Sequence, residues 1–129
     1  MTDPPHRSFP LEEFLGFSIE HDEKSAAASL TLDERHMNPN AVAHGAVAFT
    51  LMDTAMGAAV MSVIPDDCHC ATIEFHTRFH RGAAEGELAA EATVLTAGRR
   101  VVHLEARTTD GDGRLVASAT ASFAVIQPR

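Results

Sequence analysis

The chain has 129 residues, 45% of them hydrophobic and 22% charged, with a formal net charge of −8. That length and balance describe one globular domain, residues 1–129, with enough apolar matter for a real core. The negative charge excludes nucleic acid as a bulk partner, since neutralising phosphates needs a basic surface.

Residues 1–10 include Pro4 and Pro5 and no apolar run, so nothing there reads as a signal peptide. Cys68 and Cys70, with no secretory context, fit a reducing cytoplasm. Pro10 to Gly16 reads as a short helix closed by its glycine. Phe17 to Glu23 reads as a strand. Ala26, Ala28, Leu30 and Leu32 then alternate with Ala27, Ser29, Thr31 and Asp33 as a second strand. Residues 34–43 form a loop with Pro39 between two asparagines.

From Ala46 to Val63 almost every residue is apolar. A helix that is hydrophobic nearly all round is a buried helix. The exceptions, Thr50, Asp53, Thr54 and Gly57, recur at i, i+3, i+4 and i+7 and form one stripe. A carboxylate on a buried helix is costly unless it is paired, hydrogen-bonded or facing a wet cleft. Asp53 is therefore a candidate for chemistry. The apolar run is long enough to suggest a membrane span. Its alanines, its mid-span Asp53 and threonines, and the strands that follow favour a buried core helix instead, so no membrane is expected. Pro65 and Asp66-Asp67 stop it.

Four more strands are expected. In Thr72 to His80, Ile73, Phe75, Thr77 and Phe79 face one way and Glu74, His76, Arg78 and His80 the other. Gly82 to Gly86 is a turn before the strand Leu88 to Leu95. Gly98-Arg99-Arg100 is a turn before the strand carrying Val102, Leu104 and Ala106. Asp110-Gly-Asp-Gly113 is a hairpin turn. The last strand points Leu115, Ala117, Ala119, Ala121, Phe123 and Val125 inward and Ser118, Thr120 and Ser122 outward. Hairpin-linked strands with one long helix give an antiparallel α+β fold. One sheet curled round one helix leaves that helix partly uncovered, and a second copy is the natural cover. A homodimer is expected. The small outward residues of the last strand suggest a homotetramer, a dimer of dimers.

Cys68-His69-Cys70, with His76 and His80 nearby, invites a metal reading. Zinc sites normally use spaced cysteine pairs and four ligands, and a disulfide across one residue would be strained. Ordinary strand residues are expected there, and no metal.

Asn38, the His44-Gly45 pair that opens the helix, and Asp53 eight residues beyond Gly45 carry a resemblance to a known family. The chain resembles the hot-dog-fold acyl-CoA thioesterases, in the branch similar to phenylacetyl-CoA thioesterase within the 4-hydroxybenzoyl-CoA thioesterase superfamily. The segment from Thr72 to Arg81 is similar to the family's strand after the helix. The likeness runs from about residue 10 to residue 126. Two positions depart from the family. Ala46 stands where a second glycine is usual, and Thr72 stands where some members have a serine that positions the water.

The resemblance implies a hot-dog fold, with an antiparallel sheet of five to six strands wrapped around one long helix. It implies hydrolysis of an acyl-CoA to a free acid and CoA, with no cofactor. The Gly45 N–H would donate to the oxyanion, at a helix start whose amides lack partners. Asp53 would act as general base toward water or as nucleophile through a mixed anhydride. In the family the Asp comes from one subunit and the Asn and Gly from its partner. Asn38 would orient the carboxylate or the water; the other reading is an Asx-turn before Pro39. His44 has a direct role or caps the helix. Arg78, His80, Arg81, Arg99 and Arg100 are the basic residues available for CoA phosphates; the other reading for each is a solvated face or turn. The rival functions are a hot-dog hydroxyacyl-thioester dehydratase and a non-catalytic acyl-CoA-binding module. For the first, His44 lies nine residues before Asp53, without the Pro-rich loop and helix Glu of that branch.

Overall fold

The computed structural model describes residues 9–129. In chain order it has α1 (Pro10–Leu15), β1 (Ser18–Asp22), β2 (Ser25–Thr31) and a 3-10 turn (Glu34–His36). The long helix α2 (Gly45–Met61) follows, then β3 (His69–Phe79), β4 (Glu87–Ala97), β5 (Val101–Thr109) and β6 (Leu115–Ile126). The six strands make one antiparallel sheet in the order β1-β2-β4-β5-β6-β3, curled round α2. This is the hot-dog arrangement.

Small side chains on the sheet let it curl this tightly. Ala26, Ala92, Ala106 and Ala119 pair directly across β2, β4, β5 and β6, a belt of four alanines. The helix brings Leu51, Met52 and Met56 against this belt, and Leu88 and Leu104 flank it from the sheet; all five are essentially fully buried. Bulk from one layer entering a hollow in the other gives crystal-like packing with little strain.

The sheet covers only one side of α2. Val47, Ala48, Leu51, Met52, Ala55, Met56, Ala59 and Val60 are buried. Ala46, Phe49, Thr50, Asp53, Thr54, Gly57, Ala58 and Met61 are not, and their spacing makes one stripe along the whole helix. The expected polar stripe is thus the middle of a longer and largely apolar one.

The structure departs from two expectations at β3. Ile73 does not share a face with Phe75, Thr77 and Phe79, and it is 56% exposed. A bulge between Thr72 and Glu74 inserts one residue into β3 opposite β6. Thr72 pairs with the inward Phe123 and Phe75 with the inward Ala121, so both face the helix. Strict alternation would have turned Thr72 away. Cys68 also lies just before the strand rather than on it.

The loop before α2 is anchored by His36, whose side chain is fully buried. Its Nδ1 accepts from the Asp33 N–H at 2.9 Å, and its Nε2 lies 2.8 Å from the Leu15 carbonyl. Its own carbonyl accepts from the His44 N–H at 2.8 Å, which fixes the entry to the helix.

The β5–β6 hairpin is closed by Asp110. Its Oδ1 accepts from the backbone N–H groups of Arg114 and Asp112, and its Oδ2 from Arg114 Nε, each at 3.0 Å. The Arg114 N–H foremost holds the carboxyl below its ordinary value, against the opposing effect of burial. A depressed carboxyl stabilises the fold above its ordinary value and loses that contribution as pH falls through its folded value. Asp110→Ala should therefore lower the unfolding midpoint at pH 7, with the gap from wild type narrowing as pH falls below the ordinary carboxylate range. Thermal melts across pH check this, and a gap that persists at low pH would contradict it. No helix among the described residues is long and apolar enough to cross a membrane.

Candidate active site

The N-terminal end of α2 has its amides arranged in a specific way. His44 is the N-cap, and its Nδ1 accepts from the Ala46 N–H at 2.9 Å. The His44 carbonyl accepts from the Val47 N–H at 2.9 Å. The Gly45 N–H has no acceptor among the described residues. It sits at the positive end of the helix dipole, where a developing negative charge is favoured. Gly45 does not have a positive φ, so a tight turn is not what requires it. Close packing is: a Cβ there would lie 3.0 Å from the Phe79 ring.

Asp53 lies two turns further on. The Thr72 hydroxyl donates to Asp53 Oδ1 at 2.7 Å, a short charge-assisted bond made possible by the β3 bulge. Thr50 plays no part in this, since its hydroxyl donates to the Ala46 carbonyl at 2.7 Å. Cys70 stands beside Asp53, with its sulfur 3.8 Å from the Gly57 carbonyl. Burial pushes the Cys70 thiol above its ordinary value, and the Asp53 charge pushes the same way. Such a thiol is a poor nucleophile and a poor metal ligand near neutral pH. Asp53→Asn removes the second cause, so Cys70 should alkylate faster with iodoacetamide at pH 8. Mass spectrometry can resolve this from Cys68, and an unchanged or slower rate would contradict the Asp53 charge beside the thiol.

The two ends open on different hollows. Gly45, His44, His80 and Arg81 line one of about 490 Å³, together with Phe79 and Leu88. Asp53, Thr54, Thr72 and Cys70 line another of about 490 Å³, otherwise mostly apolar. Eight residues of helix separate Gly45 from Asp53, a rise of about 12 Å. Within one chain the two groups therefore open on separate hollows.

The remaining candidates are dispersed. Asn38 makes the Asx-turn: its Oδ1 accepts from the Asn40 N–H at 2.9 Å and lies 3.4 Å from the Val42 N–H. It lines neither hollow. Its loop carries Ala41 at φ 61°, left-handed and strained for alanine. Among the basic residues, Arg81 lies in the Gly45 hollow. The His80 ring is 2.7 Å from Ser118 Oγ on the outer sheet face. Arg78 lies on that face beside Glu105 and Arg107. Arg99 and Arg100 are in the β4–β5 turn, where the Arg100 carbonyl accepts from the Val125 N–H. Val125 pairs with Cys70, so this turn is at the other end of β3 from Arg78. One chain does not bring the five together.

Sequence reasoning missed Cys70, Ala58 and Met61 as neighbours of the carboxylate. The signal for Ala58 and Met61 was present: they continue the i, i+3, i+4 spacing from Asp53 and Thr54. Cys70 had none, because the bulge that sets its phase against Phe75 leaves no periodic mark.

A family model described as the thioesterase superfamily matches residues 40–117. A Pseudomonas aeruginosa protein described as a candidate esterase is 32% identical over 123 residues, covering 93% of this chain and 91% of that one. A conserved Pseudomonas aeruginosa protein of solved structure is 32% identical with a TM-score of 0.87, over 92% of this chain and 95% of that one. A Haemophilus influenzae thioesterase, 22% identical, shares the fold with a TM-score of 0.86 over 91% of this chain and 82% of that one. The chain belongs to the thioesterase superfamily, over the stretch that holds Gly45, Asp53 and Thr72.

Proposed function

We propose that this protein is an acyl-CoA thioesterase whose active sites each form between two copies of the chain. The observation that carries the reading is the pair of half-sites on one helix. The unpartnered Gly45 N–H is at one end, and Asp53, held by Thr72 at 2.7 Å, is about 12 Å away along the helix. A two-fold axis crossing the uncovered stripe of α2 brings Asp53 of one copy toward Gly45 of the other. The apolar stripe itself and the free outer edge of β3, with exposed Ile73 and Phe79, favour such a partner.

In this mechanism the thioester oxygen accepts from the Gly45 N–H, which stabilises the charge of the tetrahedral intermediate. Thr72 holds Asp53 Oδ1, leaving Oδ2 to take a proton from water as the water oxygen bonds to the carbonyl carbon. The C–S bond then breaks, and the CoA thiolate leaves with the proton Asp53 had taken. Products are the free acid and CoA. Arg81, in the Gly45 hollow, is the basic residue best placed for a CoA phosphate. The outer face of β6 is a weaker place for further assembly. Ser122 there is bonded to His103 and Glu74, and further along the strand Ser118 is flanked by Arg78 and Arg107.

The dehydratase reading has less support: His44 lies nine residues before Asp53 without the Pro-rich loop and helix Glu of that branch, and its Nδ1 is already taken by the helix cap. The deciding experiment is a panel of acyl-CoAs, from short aliphatic through aryl to long chain, scored by thiol release. Turnover with free-acid product supports hydrolysis. Enoyl product would favour the dehydratase, and tight binding without turnover the binding module. A single turnover in heavy-oxygen water separates the two roles of Asp53, since label in its carboxylate would mark a nucleophile.

A further inference from the structure

Gly57 stands in the middle of α2, where glycine weakens a helix relative to alanine. Its backbone is helical, so no special φ requires it. Packing within the chain does not require it either: the nearest atom to an added Cβ is Cε2 of Phe123 at 3.8 Å, an ordinary contact. What the missing side chain does leave is room in the hollow that holds Asp53.

That hollow continues past the carboxylate. Gly57, Ala58 and Met61 lie along its helical side, with Ile19 of β1, Cys70 of β3 and Phe123 of β6 among its walls. From Asp53 to Met61 the helix rises about 12 Å. The only ionisable groups in the lining besides Asp53 are the exposed His21 and the Cys70 thiol, which burial keeps protonated. An extended apolar tail, with its carbonyl at Asp53, matches this space.

The geometry points to Gly57 as the residue that sets acyl-chain length, admitting an unbranched aliphatic tail of medium length that runs over Gly57 and Ala58 toward Met61. This rests on the acyl-CoA thioesterase reading. Each methylene that enters such a trough strengthens binding roughly fourfold. Gly57→Leu keeps a good helix former and places its side chain on the tail's path. Met61→Ala, at a position 44% exposed in the single chain, opens the far end, and size exclusion checks that the oligomer survives the change.

The test uses the full-length protein and two readouts. The first is the affinity for S-alkyl-CoA thioethers of rising chain length, which cannot be hydrolysed. In wild type the affinity should climb roughly fourfold per methylene until the trough is full. In Gly57→Leu the climb should stop about three methylenes earlier, a loss of roughly fiftyfold on an octyl tail, with the ethyl thioether unaffected within threefold. In Met61→Ala it should continue further than in wild type. The second readout is kcat/KM for acetyl-CoA through decanoyl-CoA, which should follow the same pattern. If Gly57→Leu weakens all lengths equally, the proposal is overturned. Loss of the oligomer on size exclusion would then assign Gly57 to packing between copies. A chain-length series in binding with no wild-type turnover would sink the hydrolase reading and leave the pocket assignment standing.

Discussion

Asp53→Asn should lower kcat on the best acyl-CoA by about a thousandfold while changing KM little. Asparagine has nearly the same shape and still offers an oxygen to the Thr72 hydroxyl, which now donates to Asp53 Oδ1 at 2.7 Å. Packing and the oligomer should survive, so the loss reports proton transfer and not misfolding. Steady-state kinetics checks this alongside a thermal melt. Retention of more than about a tenth of wild-type kcat would remove Asp53 from the chemistry, whatever its place on the helix.

Gly45→Pro should be nearly as damaging, by about 10²- to 10³-fold in kcat, the usual cost of losing one oxyanion donor. A backbone donor is rarely open to mutation, but this one is. Gly45 is the first residue of α2, where proline is well tolerated. The preceding His44 is already extended, at φ −60° and ψ 138°, which suits a residue before proline. The Gly45 N–H has no acceptor among the described residues, so its removal breaks no bond within them. Proline also adds a Cβ toward the Phe79 ring, at 3.0 Å. Gly45→Ala adds that same carbon and keeps the N–H, so the ratio of the two variants isolates the donor. If alanine and proline lose activity equally, crowding against Phe79 is the cause and the oxyanion role falls.

Much of this molecule was legible in its sequence because hydrophobic period and burial coincide. Alternation in residues 26–32, 88–94 and 115–125 located the inward faces of β2, β4 and β6, and those faces are buried. Asp53 was legible because a carboxylate in an apolar helix is conspicuous. The phase of β3 was not, since a bulge changes which side chains face inward without changing composition. Phe49 and Met61 read as core because apolar residues usually are; they are 37% and 44% exposed on the uncovered stripe. His36 gave no warning either. A lone histidine in a polar loop carries no periodic signal, yet its ring is bonded at both nitrogens and fixes the approach to Gly45. His44 was read with two roles open; its Nδ1 caps the helix, and the residue also lines the Gly45 hollow.

The central claim is that each site takes Asp53 from one copy and Gly45 from another. Subunit complementation tests it most directly. Asp53→Asn and Gly45→Pro chains with different tags are co-expressed, and the mixed dimer is purified through both tags. Each parent homodimer should be nearly inactive. In the mixed dimer one site pairs the two defects and the other has both groups intact, so about half of wild-type kcat per dimer should return. A mixed dimer as inactive as its parents would contradict the shared site, because it would mean that Gly45 and Asp53 act together within a single chain.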